Sequence, residues 1–223
     1  GLQGIPVSAE LLILERDLTL LEYNNCRYHI SQISSASSVE IIRERKNKVN
    51  FSCGVSINNL SLNENDIGDF KTFLKLSPPL RTEEDRNALV QGLVDETIDV
   101  IVSDHKPEDE ENKRLTFAQA ETGASGIETL LPLSLELYHN GSVKLETIIK
   151  ALTSSPAKIL KINKGNLSIG NDADFCIVDI NKPWVVRKEK LISKSKNTPI
   201  EDKKLQGKVM NTFVNGEELF KAE

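Results

Sequence analysis

Ile98-Asp99-Val100-Ile101-Val102-Ser103-Asp104-His105-Lys106-Pro107 is the stretch on which the fold turns. The apolar, β-branched run from Ile98 to Val102 reads as a strand buried in a parallel sheet. It stops abruptly at a carboxylate, an imidazole and a proline. In a β/α barrel the C-terminal end of such a strand opens onto the active-site mouth. Asp104 would stand there, where a carboxylate can bind a metal or take a proton from metal-bound water. Taken alone, the decapeptide fits equally an aspartate that caps the following loop. Both readings stand at this point.

Working outward, Val7 to Tyr23 carries Leu11, Leu12, Leu14, Leu18 and Leu21 at helical spacing. Arg27 to Ser31 reads as a short strand, and Ser37-Ser38-Val39-Glu40 as a capping box opening a helix to about Asn47. Val49 to Val55 is a second strand, Ser61 to Phe70 a polar connection, and Phe73 to Leu76 a third strand stopped by Pro78-Pro79. Thr82-Glu83-Glu84-Asp85 starts a helix to about Asp95, which leads into the strand at Ile98. Strands alternating with helices across short connections are the grammar of a parallel α/β sheet.

The pattern then changes. A loop rich in Glu and Lys, Glu108 to Thr116, precedes helices around Gly126 to Tyr138 and Leu145 to Leu152, with Pro156 disrupting any continuation. His139, in Tyr138-His139-Asn140-Gly141, reads as the solvated end of a surface helix. From Gly165 onward the sequence favours strands, at Ala173 to Asp179, Lys208 to Val214 and Glu218 to Phe220. Asn215-Gly216 between the last two is a two-residue hairpin signal. A domain change is therefore expected near 165, dividing the chain into 1–164 and 165–223.

Four β/α strands, near 26–31, 49–55, 73–77 and 98–103, cannot close an eight-stranded barrel. Left open, they would expose two sheet edges. The expected fold is thus α/β, the C-terminal half of a (β/α)8 barrel followed by a small β-rich domain. The first half of the barrel would come from another polypeptide or from residues upstream, and the start at Gly1-Leu2 is read as lying inside a longer chain.

Bulk composition excludes several classes. At 223 residues, with 39% hydrophobic and 27% charged residues, the chain has an ordinary globular make-up. It contains no apolar run of the roughly 18 residues needed for a membrane-spanning helix, and no signal peptide is visible in Gly1 to Pro6. A net charge of −5 argues against a nucleic-acid footprint, and Lys46, Lys48, Lys194 and Lys196 read as solvated. Cys26, Cys53 and Cys176 form no CxxC pair and are expected to be buried, reduced thiols of a cytoplasmic protein.

Several motifs in order resemble the dihydroorotases, metal-dependent cyclic-amide hydrolases of the amidohydrolase superfamily. They are Tyr28-His29-Ile30-Ser31-Gln32-Ile33-Ser34, Leu76-Ser77-Pro78-Pro79-Leu80-Arg81, Asp99 to Pro107, Gly123-Ala124-Ser125-Gly126-Ile127-Glu128-Thr129, and Gly165 to Phe175. The resemblance covers nearly the whole chain and corresponds to the C-terminal half, or slightly more, of a family member. It implies pyrimidine biosynthesis, interconversion of dihydroorotate and N-carbamoyl-aspartate, zinc, a cytoplasmic location and a homo-oligomer. It makes Asp104 the metal-linked catalytic aspartate, and puts Ser77, Arg81, Glu108 and Gly123 on the substrate side. The family's histidine ligands of the fifth and sixth strands fall on Gln32 and on Asn58 or Asn59, while its substrate-side asparagine and histidine fall on Ser77 and Glu108.

Zinc is held by His, Cys or carboxylate, and neutral amides are weak donors to it. Two functions therefore follow from the resemblance. One is a dihydroorotase whose metal-activated water attacks the ring amide while Asp104 moves the proton. The other is a catalytically silent dihydroorotase-like subunit that scaffolds an oligomer, with aspartate carbamoyltransferase as the partner the resemblance implies.

Overall fold

A computed structural model describes residues 4–24 and 26–222. Gly1, Leu2 and Gln3, on which the reading of the chain start rests, lie outside the described residues. Helix α1 (Val7–Tyr23) buries Leu14, Leu18 and Leu21 along one face. Strand β1 (Tyr28–Ile33) follows, then α2 (Ala36–Arg45), β2 (Phe51–Ser56), the short α3 (Ile57–Ser61), α4 (Glu83–Val94) and β3 (Val100–Val102). The three strands form a parallel sheet in the order β1-β2-β3. Ile30, Ile33, Cys53, Val55 and Ile101 join α1, α2 and α4 in one hydrophobic core.

The third expected strand, at 73–77, does not form. Thr72–Leu74 is a 3-10 turn, and β2 pairs directly with β3, Val55 opposite Ile101. Pro78 and Pro79 have no N–H to give a ladder. Leu74, Leu76 and Leu80 are nevertheless buried, so the segment keeps its apolar packing without the strand pairing. The cap of α2 also differs from expectation. Ser35, not Ser37, is the N-cap and accepts from Ser38 N. Glu10 of α1 explains the choice, since its carboxylate takes bonds from Ser34 N and from the hydroxyls of Ser34, Ser35 and Ser38. The cap of α4 is as read, a reciprocal box between Thr82 and Asp85.

Asp99 shows why a carboxylate is tolerated at the start of the decisive strand. Its side chain accepts from Cys53 N at 2.7 Å and pairs with Lys46 at 2.9 Å. Lys46 is therefore a strand-end partner and not the free surface cation expected. Of the cysteines only Cys53 is buried; Cys26 and Cys176 are exposed and all three are unpaired.

Helices α5 (Glu110–Lys113), α6 (Leu130–His139), α7 (Leu145–Leu152) and α8 (Ser154–Leu160) come next. Pro156 sits in the first turn of α8, where its missing N–H costs nothing, and α7 ends before it. His139 is not simply solvated, since its Nε2 lies 2.9 Å from the Ile180 carbonyl. A second sheet, antiparallel β4 (Phe175–Val185), β5 (Lys204–Val214) and β6 (Glu217–Lys221), ends the chain. Its last turn is the Asn215-Gly216 hairpin, with φ of 51° and 82°, the left-handed pair that a tight primed turn requires. Strand β5 packs on α6, and the long excursion 186–203 between β4 and β5 reaches back toward the end of β3.

Candidate functional site

The backbone beyond β3 turns sharply, and Asp104 adopts a left-handed φ of 47°. Aspartate tolerates that region better than most residues. The turn points its carboxylate at neighbouring strand ends. Gln32, from the end of β1, donates Nε2–H to Asp104 Oδ1 at 3.0 Å, and the Ser56 hydroxyl at the end of β2 lies 3.5 Å from Oδ2. Burial pushes the Asp104 carboxyl above the ordinary carboxylate range, opposed by the bonds from Gln32 and Ser56 and by the charge of Lys106. The loop-capping alternative is disfavoured by these contacts, because both partners of the side chain are side chains from other strands.

Gln32, Ser56 and Asp104 are thus brought together. Asn58 and Asn59 lie one turn beyond Ser56 in α3 and are 1% and 2% exposed. Asn59 Nδ2 donates to the Pro79 carbonyl, while Asn59 Oδ1, Asn58 Nδ2 and Gln32 Oε1 are buried with no partner among the described residues. Arg81 donates Nε–H to the Ser34 hydroxyl at 3.1 Å, next to the Glu10 cluster. Ser77 is exposed and not drawn to Asp104 by any hydrogen bond among the described residues.

Glu108 and Gly123 sit on two loops that run side by side. His105 and Ala124 form a parallel bridge, and Lys106 N donates to Ala124 O at 2.9 Å. Gly123 is required here, since φ is 135° and an added Cβ would fall 2.6 Å from Lys106 O. Gly126 is required by proximity, because its Cβ would meet Ser103 O at 2.4 Å. His105 Nδ1 accepts from Gly126 N at 3.2 Å, so its proton resides on Nε2.

Two features escaped the sequence reading. Lys113 is buried and gives Nζ–H bonds to the carbonyls of Thr72 and Glu121; burial pulls its pKa down to about 8. The excursion 186–203 is tied to both loops. Glu128 accepts from Ile192 N and Ser193 N at 2.9 and 3.0 Å, and Asn197 bonds the loops of Glu108 and Gly123. Neither carries a periodicity or motif that marks it in advance.

The amidohydrolase family model matches residues 6–219. The chain belongs to the amidohydrolase family. Over 224 residues it is 42% identical to a dihydroorotase of Ehrlichia canis, covering all of this chain and 50% of that protein. It is 41% identical to a dihydroorotase of Acetivibrio thermocellus, covering 97% of this chain and 51% of the other. Among solved structures, the L-hydantoinase of Arthrobacter aurescens superposes with a TM-score of 0.93 at 28% identity, over 97% of this chain and 49% of that one. A dihydropyrimidinase of Brevibacillus agri shares the fold with a TM-score of 0.90 at 22% identity. The chain spans about half the length of the curated relatives it matches. The architecture is therefore part of an amidohydrolase barrel with a β-rich end.

Members of this family are generally metal-dependent, so the donor set deserves a direct test. Among the described residues no three of His, Cys, Asp or Glu converge. Gln32 gives its NH2 end to Asp104, which leaves its Oε1 as the unpartnered atom, a neutral amide oxygen and so a weak donor to zinc. Asn58 leaves an amide N–H unpartnered, a donor and not a ligand, and Asn59 leaves only a neutral amide oxygen. The residues present do not fit a zinc site, and no reaction step is derived through one.

Proposed function

We propose that this chain is the C-terminal part of a dihydroorotase-like protein of pyrimidine biosynthesis whose hydrolytic centre has become silent, kept as a subunit that scaffolds an oligomer. The upstream half of the barrel completes it, and residues 1–164 and 165–223 act as barrel portion and β-rich domain. One observation carries the reading: the Gln32 amide is hydrogen-bonded to Asp104, where the family resemblance expects a metal-bound histidine. A neutral donor on this carboxylate supplies neither a positive charge nor an activated water. In this reading Ser77, Arg81, Glu108 and Gly123 outline a former pocket for a cyclic amide such as dihydroorotate, in a cytoplasmic setting. Glu108 would repel an anionic ligand where the family has a histidine.

A second reading, an active dihydroorotase using zinc, is favoured by the similarity to dihydroorotases along the entire chain. One experiment separates the two. The full-length protein, upstream residues included, is purified with zinc and assayed for metal content and for dihydroorotate turnover in both directions. The silent reading expects turnover at least ~100-fold below an ordinary dihydroorotase, equivalent to about 2.7 kcal/mol of lost transition-state stabilisation. An ordinary rate with stoichiometric zinc overturns it. Co-purification with aspartate carbamoyltransferase is the corresponding test of the scaffold role.

A further inference from the structure

Two loops define the substrate side of the site, 105–108 after β3 and 123–129 before α6, and neither is braced by a regular element of its own. They are bonded to each other through Lys106 N and Ala124 O, and one side chain from the other end of the molecule also holds both. Asn197 lies in the excursion between β4 and β5 and is 3% exposed. Its Oδ1 accepts from Glu108 N at 3.3 Å and from the Ser125 hydroxyl at 3.1 Å, and its Nδ2 donates to Gly123 O at 3.1 Å. Its backbone carbonyl accepts from Ser125 N at 3.2 Å. Ser195 reinforces the clasp, with its hydroxyl against Glu108 O and Asn197 Oδ1 and its carbonyl accepting from Ser125 Oγ.

We infer that Asn197 is a positioning residue for the pocket, one that locks the paired Glu108 and Gly123 loops to the excursion. The amide is suited to this. One side chain must accept on the Glu108 side and donate on the Gly123 side, and an amide carries both functions on one small planar group. Asparagine's shorter stem matches a clasp in which its own backbone also takes part. Buried polar groups left without such partners each cost ~1–3 kcal/mol, so losing the amide frees both loops together. The excursion also docks on the far end of the 123–129 loop, where Glu128 accepts from Ile192 N and Ser193 N, so Asn197 acts on a strap that a second contact keeps in place.

This inference rests on the reading that these loops line a cyclic-amide pocket, and the test keeps the two apart. Full-length wild type, Asn197→Ala and Asn197→Asp are compared by amide hydrogen exchange and by calorimetric titration with dihydroorotate and with N-carbamoyl-L-aspartate. The clamp expects Asn197→Ala to lose at least about tenfold protection in peptides covering 105–108 and 122–126, with β4–β5 and α1 unchanged. It expects Asn197→Asp to keep the Glu108 amide protected while the Gly123 loop loosens, since the acceptor survives and the donor does not. Ligand affinity should fall about tenfold or more in Asn197→Ala. Unchanged loop exchange, or a loss spread evenly over the molecule, overturns the clamp. If wild type binds neither compound, the pocket reading falls while the exchange comparison still judges the clamp. Should Asn197→Ala not fold, Ser125→Ala removes one arm and reads out on the same peptides.

Discussion

Gly126→Ala offers a sharp test of how β3 presents Asp104. The added methyl would lie 2.4 Å from Ser103 O, where about 3.2 Å is the nearest comfortable approach, so roughly 0.8 Å must be found by moving backbone. The oxygen belongs to the residue before Asp104, and Gly126 N is itself bonded to His105 Nδ1, so the shift falls on the turn that aims the carboxylate. Overpacking of this kind costs about 1–3 kcal/mol. Partial loss of the His105 bond adds ~1 kcal/mol, giving ~2–4 kcal/mol. Gly141→Ala is the control, because nothing lies within 4 Å of its Cβ and only its φ of 77° is strained. It should cost about 1 kcal/mol. Denaturant unfolding of the full-length protein measures both. A Gly126→Ala variant as stable as wild type, or less affected than Gly141→Ala, would refute the close approach.

Gln32→His with Asn58→His should restore metal content in the full-length protein before it restores turnover, because the substrate side still carries Ser77 and Glu108; metal analysis after dialysis checks this, and unchanged metal content would count against the ligand assignment. Tyr28 donates to Asp17 at 2.7 Å, and burial followed by that bond raises its pKa from 10.0 to about 12. The folded state then holds this proton longer than the unfolded chain. Its contribution is complete below pH 10 and is lost as pH rises through about 12. Denaturant titrations from pH 9 to 11.5 should show a steeper alkaline loss in wild type than in Tyr28→Phe, and parallel curves would sink the argument.

Much of the parallel sheet was legible because burial on both faces forces runs such as Val100-Ile101-Val102, and little else uses them. The segment at 73–77 misled for a related reason. Leu74 and Leu76 alternate inward as a strand would, but the prolines that follow withhold the N–H groups a ladder needs, so apolar spacing reported burial and not pairing. The pairing of Gln32 with Asp104 could be anticipated from strand ends and family motifs. The grip of Asn197 could not, since Ser193-Lys194-Ser195-Lys196-Asn197 has the composition of a surface loop and its role exists only through residues more than seventy positions away. Cys26 and Cys176 were expected inside and are exposed; Cys176 is flanked by Phe175 and Ile177, apolar residues that are exposed themselves.

The clasp at Asn197 also has a bearing on how the protein folds. It joins Asn197 to Gly123 across 74 positions and to Glu108 across 89. Contacts of that separation must wait until the intervening chain is ordered, because loop closure is an entropic cost met before the contact returns anything. The β/α layers and the antiparallel sheet can each assemble from nearer neighbours, but the 105–108 and 123–129 loops beside Asp104 gain their clasp only when the excursion comes down on them. The same order runs backward. A partial opening that lifts the strap would disorder the mouth while leaving the hydrophobic core intact, so the mouth is the last part to mature and the first to be lost.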